Sequence, residues 1–198
     1  MVATVGYRLA PEHPYPACLL DAETAIRWLV APDGGRDRFA IDVSRVAIGG
    51  TSSGGLVSLV AAMKCAAAEE GKEGVAFVFQ LLVCPVVDNT TTADSPHWRV
   101  VGAASPSLTP PRMIWYRKLW LPEWTPESAA ALDWDASPSL APAEAVARLP
   151  PTWLAIPEFD LLSAEGLAFA ERMRQEGVSV TTKVYPGCPH DLIELPGE

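Results

Sequence analysis

Apolar and polar positions along the chain follow two alternating rhythms. "VATVGY", from Val2 to Tyr7, is a short β-type run, and "RLAPEHPYPA" after it carries three prolines that forbid regular structure and predict a bent loop. In "LLDAETAIRWLVA" the residues Leu19, Ala22, Ile26, Leu29 and Val30 fall on one helical stripe. Glu23 and Arg27 pair at i, i+4 on another face. Trp28 lies off the centre of the stripe and reads as a flank contact. "APDGGRDRFAID" is a polar loop, and "RVAIGG" is an apolar strand of the fully buried type.

The rhythm then repeats. "LVSLVAAMKCAAAEE" is apolar around most of its circumference, as suits a helix lying against the centre of a sheet. "VAFVFQLLVCPVVD" predicts a strand ended by Pro85, "PTWLAIPEFD" another, "SAEGLAFAERMRQEG" a helix closed by Gly177, and "VSVTTKVYPG" a last strand. Residues 88–149 break the pattern: they are rich in Pro, Ser and Thr and hold Trp98, Trp115, Trp120, Trp124 and Trp134, too aromatic for a linker. Alternating strands and helices with one long insertion predict an α/β fold, a mostly parallel sheet with helices on both faces.

Composition narrows the partners. The 198 residues suit one domain with its own core. A net charge of -9 with no basic block argues against nucleic acid. No window approaches ~20 uninterrupted apolar residues, and the first residues lack the pattern of a signal peptide, so no membrane span and a cytoplasmic location are expected. Cys18, Cys65, Cys84 and Cys188 are scattered, with no ligand-like spacing to the three histidines. They read as free, buried thiols, and no cofactor or metal is expected.

The chemistry concentrates in "VAIGGTSSGGLVSL". A nucleophilic serine on an α/β sheet needs a sharp strand-to-helix turn, with glycines two before and two after it to clear the way. Ser52 has Gly50 and Gly54 at those positions, whereas Ser53 has Thr51 and Gly55. A Walker A loop needs Lys after its last Gly, and Leu56 follows Gly55. By itself the motif also fits a mere tight turn. A serine nucleophile further needs a base and a group to orient it. His13 and His97 read as surface or packing residues, while His190 follows the last strand, at the edge where a parallel sheet gathers its functional loops. Asp160 follows the preceding strand; Glu158 and Asp191 are rival acids.

With these residues in place the chain resembles the hormone-sensitive lipase-like carboxylesterases of the α/β-hydrolase fold. "YRLAPEHPYPACLLDAETAIRWL", "DVSRVAIGGTSSGG", "ASPSLAP" and "LPPTWLAIPEFDLLSAEGLAFAERMRQEGVSVTTKVYPGCPH" match that pattern in order. The resemblance implies one α/β-hydrolase domain over 1–198 and a small-molecule ester substrate. It implies Ser52 as nucleophile, His190 as general acid-base, Asp160 as its partner and the backbone N–H of Ser53 as an oxyanion donor. Residues 88–149 then contain part of a cap, with Trp98, Trp115 and Trp120 either lining the substrate site or packing within the cap. Thr51 and Ser53 stand where the family usually has an acid and an alanine. Family members also carry an H-G-G-G loop ahead of the strand that starts here at Val2, and this sequence begins too late to contain it. Loss of one oxyanion donor costs ~100 to 1000-fold in kcat, so a binding remnant is the alternative expectation, with transacylation or dehydration by the same triad as a third. An unpaired sheet edge would also invite pairing between copies.

Overall fold

The computed structural model describes residues 1–67, 74–190 and 192. Its centre is a sheet of four parallel strands in the order β1 (Val46–Thr51), β2 (Phe77–Val83), β3 (Thr152–Phe159) and β4 (Val180–Pro189). Helix α1 (Ala17–Val30) precedes β1, followed by the short α2 (Asp37–Phe39). Helix α3 (Ser53–Ala66) joins β1 to β2, and α8 (Ser163–Gln175) joins β3 to β4. The segment between β2 and β3 contains α4 (Pro96–Val101), α5 (Pro110–Trp120), α6 (Ala129–Leu132) and α7 (Ala143–Val146).

The apolar stripes are buried where their periods place them. Leu82, Leu154 and Ile156 project from one face of the sheet onto Leu59 and Met63 of α3 and Phe169 and Met173 of α8. Helix α3 has a second layer behind it, so its other side is buried as well: Leu56, Val57 and Val60 pack against Cys18, Leu19 and Ala22 of α1. This double contact is why a helix apolar on nearly all sides is stable here. The Glu23–Arg27 pair forms at 2.9 Å. Trp28 stays half-exposed, edge-on to Phe39. After α8 the N–H of Gly177 bonds the Arg174 carbonyl and that of Val178 the Met173 carbonyl. This Schellman closure requires the left-handed backbone that Gly177 adopts at φ 86°.

Two expectations change. Residues 2–7 form no strand, and Val2 is 92% exposed; a β-type run without a ladder partner has nothing to satisfy its backbone groups. For the same reason β1, whose outer edge has no strand beside it among the described residues, alternates between half-buried and exposed positions and is not fully buried. The parallel sheet is flanked by helices as the alternation expects: α3 and α8 lie on the face bearing Leu82 and Leu154, with α1 packed behind α3. Phe79 and Leu81, on the other face of β2, remain exposed. No described helix is long and apolar enough to cross a membrane.

The two faces should respond differently to substitution. Leu154→Ala removes a fully buried side chain and should lower the unfolding free energy by about 3 to 5 kcal/mol. Leu81→Thr on the uncovered face should change it by less than about 1 kcal/mol. Urea unfolding followed by tryptophan fluorescence measures both.

Candidate active site

Ser52 stands between the end of β1 and the start of α3 with φ 55° and ψ -119°. A residue with a side chain is strained in that conformation, and the surrounding backbone holds it there. The Ser52 N–H donates to the Val83 carbonyl at 2.9 Å, and the Ser52 carbonyl accepts from Leu56 and Val86. A Cβ at Gly50 would lie 2.2 Å from the Gly54 carbonyl oxygen, so Gly50 is needed for the turn. Gly54 differs from expectation, since a Cβ there meets no atom within 4 Å. It is Gly55 whose Cβ would strike Pro85, at 2.8 Å. The chain thus turns at Ser52, and Ser53 becomes the first residue of α3, whose opening N–H groups have no acceptor within the helix.

Strands β3 and β4 bring the other two residues together. They pair in parallel with Phe159 opposite Pro189, so the next residues, Asp160 and His190, emerge side by side. His190 Nδ1 is 2.9 Å from Asp160 Oδ2, and His190 Nε2 is 2.9 Å from Ser52 Oγ. Asp160 is fully buried. Its second carboxylate oxygen accepts the Leu162 N–H at 3.0 Å, which fixes the carboxylate plane toward the imidazole. Burial pulls the His190 pKa down, but the hydrogen bond and charge of Asp160, with Cys84 alongside, outweigh it and leave the value raised.

The remaining titratable residues sort cleanly. Glu158 is exposed and accepts the Gly187 N–H at 2.8 Å; Asp191 lies outside the described residues. His13 is exposed. His97 is half-buried, with Nε2 3.0 Å from both the Asp160 carbonyl oxygen and Ser163 Oγ. It packs, as expected, but against the main chain of Asp160. All four cysteines are free, and Cys188 is only partly buried. Cys84, at φ 39°, directs its thiol to the His190 carbonyl at 3.4 Å. Cys84, Asp160 and His190 are the described group whose donor atoms are close enough to chelate a metal. Of these, His190 Nδ1 and Asp160 Oδ2 are hydrogen-bonded to each other, while the Cys84 thiol bonds the His190 carbonyl.

Above Ser52 opens a cavity of about 560 Å³ lined by Ser53, His190 and one side of α5. Trp115 and Trp120 line it. Trp98 does not: it is 2% exposed and stacks on the Arg117 guanidinium, 5.0 Å from ring centre to carbon. Arg117 escaped the sequence reading because α5 has no clear apolar stripe to mark which residues turn inward. Its guanidinium, also 5.5 Å from the Trp124 ring, donates to Asn89 Oδ1 at 2.9 Å, to the Asp88 carbonyl at 2.6 Å and to the Thr91 carbonyl. Glu165, half-buried in the first turn of α8, accepts the N–H groups of Val87 and Asp88. Burial raises its pKa to about 8. Arg117 and Glu165 together hold the backbone that leads from β2 into the cavity wall.

A model of a family described as alpha/beta hydrolase fold matches residues 1–194. An AB hydrolase superfamily protein of Schizosaccharomyces pombe is 34% identical over 198 residues, covering 98% of this chain and 54% of its own length. Esterase LipI of Mycobacterium tuberculosis is 34% identical over 207 residues, covering 100% of this chain and 57% of its own. The crystal structure of a thermostable esterase from Pseudomonas putida superposes with a TM-score of 0.80 at 31% identity, over 93% of this chain and 54% of that one. The chain therefore spans a little over half the length of these relatives. With its parallel sheet, its turn at Ser52 and its hormone-sensitive-lipase-like sequence pattern, the chain belongs to the alpha/beta hydrolase fold family.

Proposed function

We propose that the chain carries the catalytic residues of a serine carboxylic-ester hydrolase acting on small or medium acyl esters. The observation that carries this reading is the hydrogen-bonded line from Ser52 Oγ through His190 to Asp160. The esterase relatives and the mainly apolar cavity above Ser52 support it. His190 takes the Ser52 proton as Oγ attacks the ester carbonyl carbon. The resulting oxyanion is met by the Ser53 N–H at the start of α3. Collapse expels the alkoxide, which receives the proton from His190 and leaves as the alcohol. Water, deprotonated in turn by His190, then releases the acid from acyl-Ser52. Asp160 holds the imidazole in the tautomer that presents a free Nε2 and stabilises the imidazolium as it forms. Residues 88–149 serve as part of a cap whose α5 closes one side of the acyl site.

Two measurements test this reading. A fluorophosphonate probe should label Ser52 in the intact protein and fail to label Ser52→Ala; a folded protein that stays unlabelled overturns the proposal. The raised pKa of His190 gives the second. The imidazole must be neutral to act as a base, so the acid limb of kcat/KM should lie above the ordinary value of about 6.5. Asp160→Asn removes the charge that favours the imidazolium. It should move that limb to lower pH and reduce kcat about 10⁴-fold, and an unmoved limb would count against the assigned pair.

A further inference from the structure

The cavity above Ser52 has an unusual charge. The chain holds 24 acidic and 15 basic residues, yet among the described residues Arg8, Arg112 and Arg117 all line this cavity and no Asp or Glu does. Two of the three cations are already satisfied. Arg8 is held by Asp21, whose two carboxylate oxygens accept its Nε and Nη2 at 2.8 to 3.1 Å. The Arg117 guanidinium is enclosed between two tryptophan rings and spent on Asn89 and two carbonyls. Arg112, in the first turn of α5, is different. It donates one N–H to the Ser107 carbonyl at 2.7 Å and faces no carboxylate among the described residues. The Ser107 hydroxyl beside it has no hydrogen-bond partner among the described residues.

We propose, building on the serine-esterase reading, that this site prefers esters whose acyl chain ends in a carboxylate, with Arg112 as the residue that selects for it. A guanidinium offers a planar pair of N–H groups matching a carboxylate. The single bond to Ser107 leaves Arg112 with donors to spare, and the unpaired Ser107 hydroxyl supplies a further one. No described lining residue is a carboxylate that would repel an anionic chain. The apolar wall formed by Met113, Trp115 and Trp120 then covers the methylenes between the reacting carbonyl and the terminal charge.

The matched substrates are p-nitrophenyl valerate and mono-p-nitrophenyl glutarate, which differ in a terminal methyl against a carboxylate. The ratio of their kcat/KM values, glutarate over valerate, should fall at least 10-fold in Arg112→Gln and further in Arg112→Glu. It should hold in Lys118→Gln, which removes an α5 cation outside this cavity. The wild-type ratio should also fall as salt is raised, because the contact is electrostatic. An unchanged ratio in the Arg112 variants overturns the proposal, as does an equal fall in Lys118→Gln. Binding separates this result from a failure of the esterase reading. Tryptophan fluorescence titration of Ser52→Ala with monomethyl glutarate should give a Kd that rises at least 10-fold when Arg112→Gln is added. Equal Kd values overturn the carboxylate site, whereas the expected rise without turnover of either ester overturns only the esterase reading.

Discussion

Parallel pairing forces every strand of this sheet to end at the same edge, and the arrangement at Ser52 depends on that constraint. Each strand is reached by a helix that carries the chain back to its starting edge. The residues that follow β1, β3 and β4 therefore converge although 138 positions separate Ser52 from His190. The pairing of Phe159 with Pro189 makes the meeting of Asp160 and His190 a matter of register. A slip of one residue would turn every side chain of β4 to the opposite face. The core reinforces that register, since Leu154 and Ile156 must face α3 and α8 for the sheet to be buried at all.

The segment between β2 and β3 obeys a different logic. Its helices are short, its buried apolar residues are spread over three clusters, and a buried cation organises much of it. Arg117 gives up its hydration for carbonyl oxygens, an amide and two aromatic faces, which is the only way such a charge is tolerated inside a protein. In exchange it fixes residues 88–91, as Glu165 fixes Val87 and Asp88 from the opposite side. The cavity wall is thus anchored to the sheet through polar contacts, while its lining remains mainly apolar.

Much of this was legible in the sequence. The helix stripe from Leu19 to Val30, the all-round apolarity of α3 and the glycine spacing around Ser52 are local signals, each dictated by the geometry of a turn or a helix. The order of Ser52, Asp160 and His190 placed all three at strand ends. Other features left no local trace. Val2 to Tyr7 has strand composition and forms none, since pairing is a property of two segments. Gly54 looked sterically necessary, yet a Cβ there meets open space, while one at Gly50 or Gly55 would clash. Nothing in the text of α5 separates Arg117, enclosed by tryptophans, from Arg112 at the cavity.

By itself, the sequence determined the periodicities, the sharp turn at Ser52 and the succession of strands and helices, because these follow from backbone sterics and side-chain spacing over a few residues. Only the tertiary structure decided that the Ser52 hydroxyl, the His190 imidazole and the Asp160 carboxylate share two hydrogen bonds of 2.9 Å. It alone also decided that one tryptophan is buried where two others line a cavity, and that one arginine of three keeps unspent donors. Hydrogen bonds, burial and compensation of charge are relations between distant segments, and they take definite values only when the register of the sheet brings those segments together.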